Sequence, residues 1–232
     1  MDVTGIDAAK AGWVAVSIKD GQFSWTVTSS LSEIELGTTI YIDMPIGLEQ
    51  NKRRLVDQLL RTELKPGRTS SVFNAPLLAA LEQSDYQAAN DHSKQQAGLG
   101  LSKQAWYLLP KIRQVRTHYQ AGMMESHPEV CFARLTGHPA RYNKRTAEGL
   151  AERTELLIRY GCPPYWELRV PGVATDDWVD ACLLAVAATL PISYVPENRP
   201  LDVTGLPLYA ALPKKDHLHR NGVGDPLIND QR

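Results

Sequence analysis

Short apolar and β-branched runs punctuated by turn residues mark the first forty-odd residues as strands. Val3 to Asp7 leads into the small-residue stretch Ala8-Ala9-Lys10-Ala11-Gly12, and Trp13-Val14-Ala15-Val16-Ser17-Ile18 then runs apolar. Lys19-Asp20-Gly21 carries the Asp-Gly pair of a tight hairpin turn, and Gln22 to Ser29 resumes with aromatic and β-branched residues. Three antiparallel strands are therefore expected. A short polar helix over Leu31 to Leu36 precedes Thr38-Thr39-Ile40-Tyr41-Ile42-Asp43. That near-continuous apolar run suits a fourth strand covered on both faces. Met44-Pro45-Ile46-Gly47 stops it, because proline cannot donate to a central ladder.

From residue 49 to 121 the pattern changes to helical spacing. Leu55, Val56, Leu59, Leu60 and Leu64 mark one face of a helix that Lys65-Pro66-Gly67 ends. Ala75 to Leu81, Tyr86 to Gln96 and Lys103 to Gln120 also favour helix. This exceeds what one crossover needs, so the stretch reads as a helical insertion between strands four and five. Met123-Met124-Glu125-Ser126 is the fifth strand, closed by His127-Pro128. Glu129 to Leu135 and Ala147 to Tyr160 follow as helices, and Asp176 to Leu190 is the last, its alanine-rich body suited to close packing on a sheet. The pattern thus predicts an α/β domain over residues 1–213: a mixed five-stranded sheet flanked by helices. The polar tail from Lys214 to Arg232, with Gly and Pro, is expected to be poorly ordered. No internal repeat, coiled coil or low-complexity tract interrupts this plan.

Bulk properties remove some functions. The chain of 232 residues is 43% hydrophobic and 22% charged, ordinary for a globular protein. A formal net charge of -1 gives no global pull toward nucleic acid, so any such site must be a local basic patch. Cys131, Cys162 and Cys182 are odd in number, widely spaced and without metal-ligand spacing, which fits reduced core thiols. The first residues lack the basic and apolar regions of a signal peptide. The apolar run from Ala181 to Ile192 is too short to span a bilayer. A cytoplasmic protein without a membrane partner is expected.

Acidic residues fall at the decisive points of the plan. Asp7 ends strand one, Asp43 ends strand four and Glu125 ends strand five, while Asp177 and Asp180 lie one helical turn apart on the last helix. Strands one, four and five are expected as parallel neighbours, so their carboxyl ends open on one edge, where α/β folds place ligands. Crowded carboxylates repel and resist burial. Mg²⁺ or Mn²⁺ relieves both penalties, and two such ions activate a water and stabilise the leaving oxygen of a phosphodiester. Asp7 and Asp43 would be shared ligands, Asp177 and Asp180 would complete the site, and Glu125 would add a ligand or a base. Taken singly, each has a plainer reading: Asp7 and Asp43 as turn formers, Asp176 and Asp177 as partners of a helix dipole. Asp180 is different, because it lies among Val179, Ala181, Cys182 and Leu183, where a carboxylate needs a partner.

These motifs resemble a known family. Gly5-Ile6-Asp7-Ala8-Ala9-Lys10-Ala11-Gly12-Trp13, Tyr41-Ile42-Asp43-Met44-Pro45-Ile46-Gly47, Ser70-Ser71-Val72-Phe73, Leu101-Ser102-Lys103-Gln104-Ala105-Trp106, Glu125-Ser126-His127-Pro128-Glu129-Val130-Cys131-Phe132 and Asp176-Asp177-Trp178-Val179-Asp180-Ala181 resemble the domain of unknown function 429 family. The resemblance implies a ribonuclease H-like fold and a nuclease. The acidic motifs are also similar to those of RuvC-type Holliday-junction resolvases, which carries metal-ligand roles onto Asp7, Asp43, Asp177 and Asp180. Asp43 departs from that pattern, which has glutamate there. His127 fits either a proton shuttle or a structural histidine before proline, and Glu129 fits support of its helix's first turn.

Arg53, Arg54, Arg61, Arg68 and Lys111 cluster in the insertion near Trp106 and Tyr107, and Lys10 follows Asp7. Such residues serve phosphate contact and base stacking, or form a solvated face with ordinary ion pairs. The leading expectation is a metal-dependent nuclease or related phosphodiesterase acting on nucleic acid or a smaller phosphodiester. The alternatives are an ATP-binding phosphotransferase of the actin and hexokinase superfamily, and a non-catalytic binding module. Against the phosphotransferase, Ala8-Ala9-Lys10 replaces a Gly-rich loop and the chain is too short for two domain copies.

Overall fold

The computed structural model describes residues 1–215 of the chain. Three antiparallel strands open it: β1 (Asp2–Ala9), β2 (Gly12–Lys19) and β3 (Gln22–Thr28). Asp20 and Gly21 both take positive φ (51° and 80°), the double left-handed turn that matches strand twist in a two-residue hairpin. The helix expected over Leu31 to Leu36 is a single 3₁₀ turn, Leu31–Glu33, because the chain must then run close along β1. At Gly37 a Cβ would stand 2.8 Å from the Asp2 backbone.

β4 (Thr39–Ile42) lies parallel to β1, and β5 (Met123–Glu125) parallel to β4, as the strand reading expected. Between β4 and β5 run α1 (Leu55–Glu63), α2 (Tyr86–Ala97) and α3 (Lys103–Thr117). The expected helix over Ala75 to Leu81 is a 3₁₀ stretch, Leu78–Glu82. Pro76 biases the residue before it toward extended backbone, which delays the start. After β5 come α4 (Pro128–Thr136), α5 (Ala147–Arg159) and α6 (Thr175–Ala188).

The sheet has seven strands rather than five, in the order β3-β2-β1-β4-β5-β7-β6. The two additional strands are β6 (Ile192–Val195) and β7 (Ala210–Pro213); β7 pairs parallel to β5 and antiparallel to β6. Both are four residues long. Proline brackets β6 at Pro191 and Pro196, and Ala210-Ala211-Leu212-Pro213 has little intrinsic strand preference. β7 forms because its side chains, all buried, close the core beside β5.

Helices flank the sheet on both faces. One core joins α1, α4, α5 and α6 to Val14, Val16 and Tyr41. The other joins Ala89, Ala105, Leu109, Ile112 and Val115 of α2 and α3 to Ile6, Ile40, Ile42 and Met123. Of the helices between β4 and β5, α2 and α3 are therefore the cover of the second face, while α1 joins the first. Among the described residues no helix is long and apolar enough to cross a membrane. Of the tail expected to be poorly ordered, the Lys214 N–H donates to Pro191 O; residues 216–232 lie outside the described residues.

Two close fits hold the frame. At Gly5 a Cβ would lie 2.2 Å from Ala185 N and 2.3 Å from Ala181 O, so α6 rests directly on the β1 backbone. Between β6 and β7, Asp202 ties the last segment to the loop after β4. It accepts from Leu48 N (3.1 Å), Arg116 Nη1 (2.8 Å), Thr204 N (2.8 Å) and Leu206 N (3.0 Å). Burial opposes its charge, but these donors outweigh that and pull the carboxyl from 3.8 to about 2.

Gly5→Ala is expected to cost at least about 2 kcal/mol, the scale of overpacking against an unyielding backbone, read by urea unfolding. Asp202→Asn is expected to lose about 2 kcal/mol at pH 7. A depressed carboxyl stabilises above its unfolded pKa and ceases to as pH falls through its folded one. The deficit relative to the wild type should therefore shrink below about pH 4, measured by unfolding at pH 7 and pH 3.

Candidate acidic site at the sheet edge

Strand register brings the first two acids together. Ile6 pairs with Ile42, and Asp43 N donates to Ile6 O at 3.0 Å, so Asp7 and Asp43 lie side by side on neighbouring parallel strands. Asp43 follows β4, but Asp7 does not end its strand as expected, because pairing with β2 carries β1 on to Ala9. Side chains alternate between faces. Asp7 and Asp43 thus share the face of Gly5 and Tyr41, against which α6 packs. From α6, Asp180 joins them, because Ala181 is the residue seated on Gly5. Asp7 is 7% exposed and Asp180 2%.

Mutual repulsion follows. Burial, then Asp180 and Asp43, hold the Asp7 carboxyl well above the ordinary range, with Asp177 adding and Lys144 opposing. Burial raises Asp43, while His127 and Lys144 lower it and Glu129 raises it. Burial lifts Asp180 to about 7 in spite of Lys144, with Asp43 and Glu129 contributing. Lys144 donates a hydrogen bond to Asp180 Oδ2 and stands 3.5 Å from Asp176 Oδ2. Asp180 Oδ1 is buried with no hydrogen-bond partner. Asp177, also raised by burial, commits Oδ2 to the N–H of Ala174 at 2.8 Å and so caps α6. The helix-start reading of Asp177 is realised, and its charge still reaches Asp7.

Glu125 goes elsewhere. It is in register with Ile42, so it projects from the opposite face to Asp43. There it accepts from Arg54 Nη1 (2.9 Å) and Ile46 N (3.1 Å), while Arg54 Nε donates to Asp57 at 2.9 Å. Arg54 is 3% exposed. Its guanidinium is spent inside the protein, away from any phosphate in solvent.

The structure adds three residues that the sequence reading did not place in the site. Glu129, in the first turn of α4, lies near enough to Asp43 and Asp180 to raise both. Arg153 holds it with bonds of 3.1, 2.6 and 2.8 Å. The signal for Arg153 was present: it sits between Leu150 and Leu157 on the buried stripe of α5, where a charge survives only when paired. Lys144 lies in the loop before α5 and had no such signal.

The remaining basic candidates are scattered. Arg68 stands 3.7 Å from Glu129, its buried Nε without a hydrogen-bond partner. Lys111 donates to Gly12 O, lies 4.4 Å from the Trp13 ring centroid and feels Asp7 and Asp177, although burial lowers its pKa. Lys10 is exposed in the β1–β2 turn, close behind Asp7. Arg53 lines a separate cavity with Lys52, Asn74 and Leu101. Arg61 is bound to Val72 O and Asn74. His127 approaches Ser71 O at 3.3 Å with Nε2, while its buried Nδ1 has no partner. It borders a cavity of about 20 Å³ shared with Asp43 and Phe73, room for one water.

The donor set suits a hard divalent cation: oxygen-only, buried, mutually repelling, with an orphaned oxygen on Asp180. Among the described residues, however, no three His, Cys, Asp or Glu side chains already stand in a metal-holding group. The cation at Asp180 is the Lys144 ammonium.

The family model for the protein of unknown function DUF429 matches residues 5–191. The chain belongs to the DUF429 family. No curated protein and no solved structure matches it. In this DUF429 member, the matched span takes in Asp7, Asp43, Lys144, Asp177 and Asp180 but ends before β6 and β7.

Glu125→Gln is expected to cost about 3 kcal/mol or more by leaving Arg54 short of a buried partner, read by urea unfolding. Asp7→Asn is expected to raise the metal-free melting temperature in EDTA, because it removes one repelling charge and keeps an acceptor for Ala8 N. Thermal unfolding checks this.

Proposed function

We propose that the chain is a divalent-cation-dependent phosphodiester hydrolase with a ribonuclease H-like fold, a nuclease or a close relative of one. Support for the fold comes from three antiparallel strands followed by β4 parallel to β1 and β5 parallel to β4, with an acid-bearing helix laid across β1. The observation that carries the function is the convergence of Asp7, Asp43 and Asp180 from three separate elements, with Asp180 Oδ1 buried and unpartnered. Structural acids rarely remain so poorly satisfied.

In this reading Asp7, Asp43 and Asp180 hold Mg²⁺ or Mn²⁺, and Asp177 supports them from the preceding helical turn. A bound cation supplies Lewis-acid activation of water and charge neutralisation at the leaving oxygen. Arg153 fixes Glu129 as a further acid beside Asp43 and Asp180. His127, with Nδ1 unpartnered beside the water-sized cavity at Asp43, is placed to hold a proton. Lys111, which feels Asp7 and Asp177, Arg68, 3.7 Å from Glu129, and the exposed Lys10 are the candidates for phosphate contact. The substrate is nucleic acid or a smaller phosphodiester, met in the cytoplasm, where the three buried free thiols stay reduced.

The test is a cleavage panel of single- and double-stranded DNA, RNA, a four-way junction and bis-p-nitrophenyl phosphate, with Mn²⁺, Mg²⁺ or EDTA. Cleavage is expected with metal only, and Asp7→Asn or Asp180→Asn should lose at least about 100-fold. Activity that survives EDTA or either substitution sinks the proposal, as does failure of Mn²⁺ at millimolar concentration to appear between Asp7, Asp43 and Asp180 in anomalous density.

A further inference from the structure

The loop that delivers Lys144 is built with unusual care. Asn143 O accepts from Thr146 N (2.9 Å) and Thr146 Oγ1 (3.1 Å), and Asn143 Oδ1 accepts from Arg145 N (3.0 Å). Thr146 Oγ1 in turn caps α5 by accepting from Gly149 N at 3.1 Å. At Gly149 a Cβ would lie 1.8 Å from Asn143 O and 3.1 Å from Lys144 N. The loop therefore lies flat on a helix that tolerates no side chain there. That helix also carries Arg153, so α5 sends one cation to Glu129 and positions another at Asp180.

From this geometry we infer that Lys144 is an internal counter-ion, which occupies the acidic site until a divalent cation displaces it onto Asp176. The inference rests on the metal-binding reading above and adds how that site is guarded. Three observations carry it. Lys144 is the cation bonded to Asp180, whose side chain is 2% exposed and cannot turn to water for relief. The Lys144 side chain is 31% exposed, so its flexible arm can swing outward while the loop backbone stays fixed. Asp176, already 3.5 Å from the ammonium, gives it a second partner when it leaves.

A single ammonium also does the task incompletely. Asp180 Oδ1 stays unpartnered with Lys144 in place, and Asp7 remains strongly perturbed. A doubly charged ion with several coordination positions would satisfy more oxygens than a monovalent group donating to one. Lys144 would thus keep the metal-free site folded and make cation affinity the outcome of a competition.

The test uses the full chain, with Mn²⁺ alone as probe, in the wild type, Lys144→Met and Lys144→Arg. Free Mn²⁺ is read by electron paramagnetic resonance. Lys144→Met is expected to bind Mn²⁺ at least about tenfold tighter, because its competitor is gone. Its metal-free melting temperature should fall and recover on adding Mn²⁺, whereas Lys144→Arg should keep an affinity near that of the wild type. A second measurement needs no variant: amine-reactive labelling of the wild type, resolved by mass spectrometry, should show Lys144 more reactive once Mn²⁺ is bound. Wild-type binding with unchanged affinity in a folded Lys144→Met overturns the displacement and leaves the metal site standing. Unchanged or reduced labelling on saturation with Mn²⁺ does the same. Absence of Mn²⁺ binding in both wild type and Lys144→Met overturns the two readings together.

Discussion

Like charges that cannot reach water govern this structure. Asp7 feels the charges of Asp180 and Asp43, Asp180 feels that of Asp43, and burial denies solvent to Asp7 and Asp180 while Asp43 is half-buried. Much of the surrounding architecture answers that repulsion. The α5 helix contributes Arg153 against Glu129 and its preceding loop contributes Lys144 against Asp180. Asp177 spends one oxygen on the start of α6. Gly5 explains why the acids meet at all: without a side chain on β1, α6 settles on the backbone and carries Asp180 with it. A glycine and an aspartate two residues apart in the chain therefore serve one purpose, the first permitting the approach that the second makes costly.

Most of the frame was legible in the sequence because its signals were local. The Asp-Gly turn, the apolar run ending at Asp43 and the alanine-rich last helix each became the expected element. Faces were harder to read than edges. Glu125, Asp7 and Asp43 all lie toward one edge of the sheet, but the pleat sends Glu125 to the other side, and a shift of one register position decides that. Arg54 followed Glu125 inward, a pairing between residues 71 positions apart that no local pattern encodes. Lys144 and the strands β6 and β7 were missed for the same reason: their roles come from tertiary neighbours, and their own sequences say little.

The stretch between β4 and β5 was legible as helix, but its packing partners were not. Ala105, Leu109 and Ile112 of α3 pack on Ile6, Ile40 and Ile42 as the second wall of the core. Lys111, on the same helix, reaches Gly12 O at the start of β2 and stands over Trp13. One helix thus both insulates the sheet and brings a basic group beside the acids.

The position of β7 bears on how this family is handled at the bench. The shared family region stops at residue 191, whereas β7 covers the outer side of β5 and Asp202 fastens the loop after β4. A fragment trimmed to the shared region would leave β5 as a bare rim of unpaired backbone donors and acceptors, a template for sticking to another molecule. It would also release the chain that carries Arg54. Insoluble fragments of such a protein would then reflect where the chain was cut, and would say nothing about the chemistry of the acids.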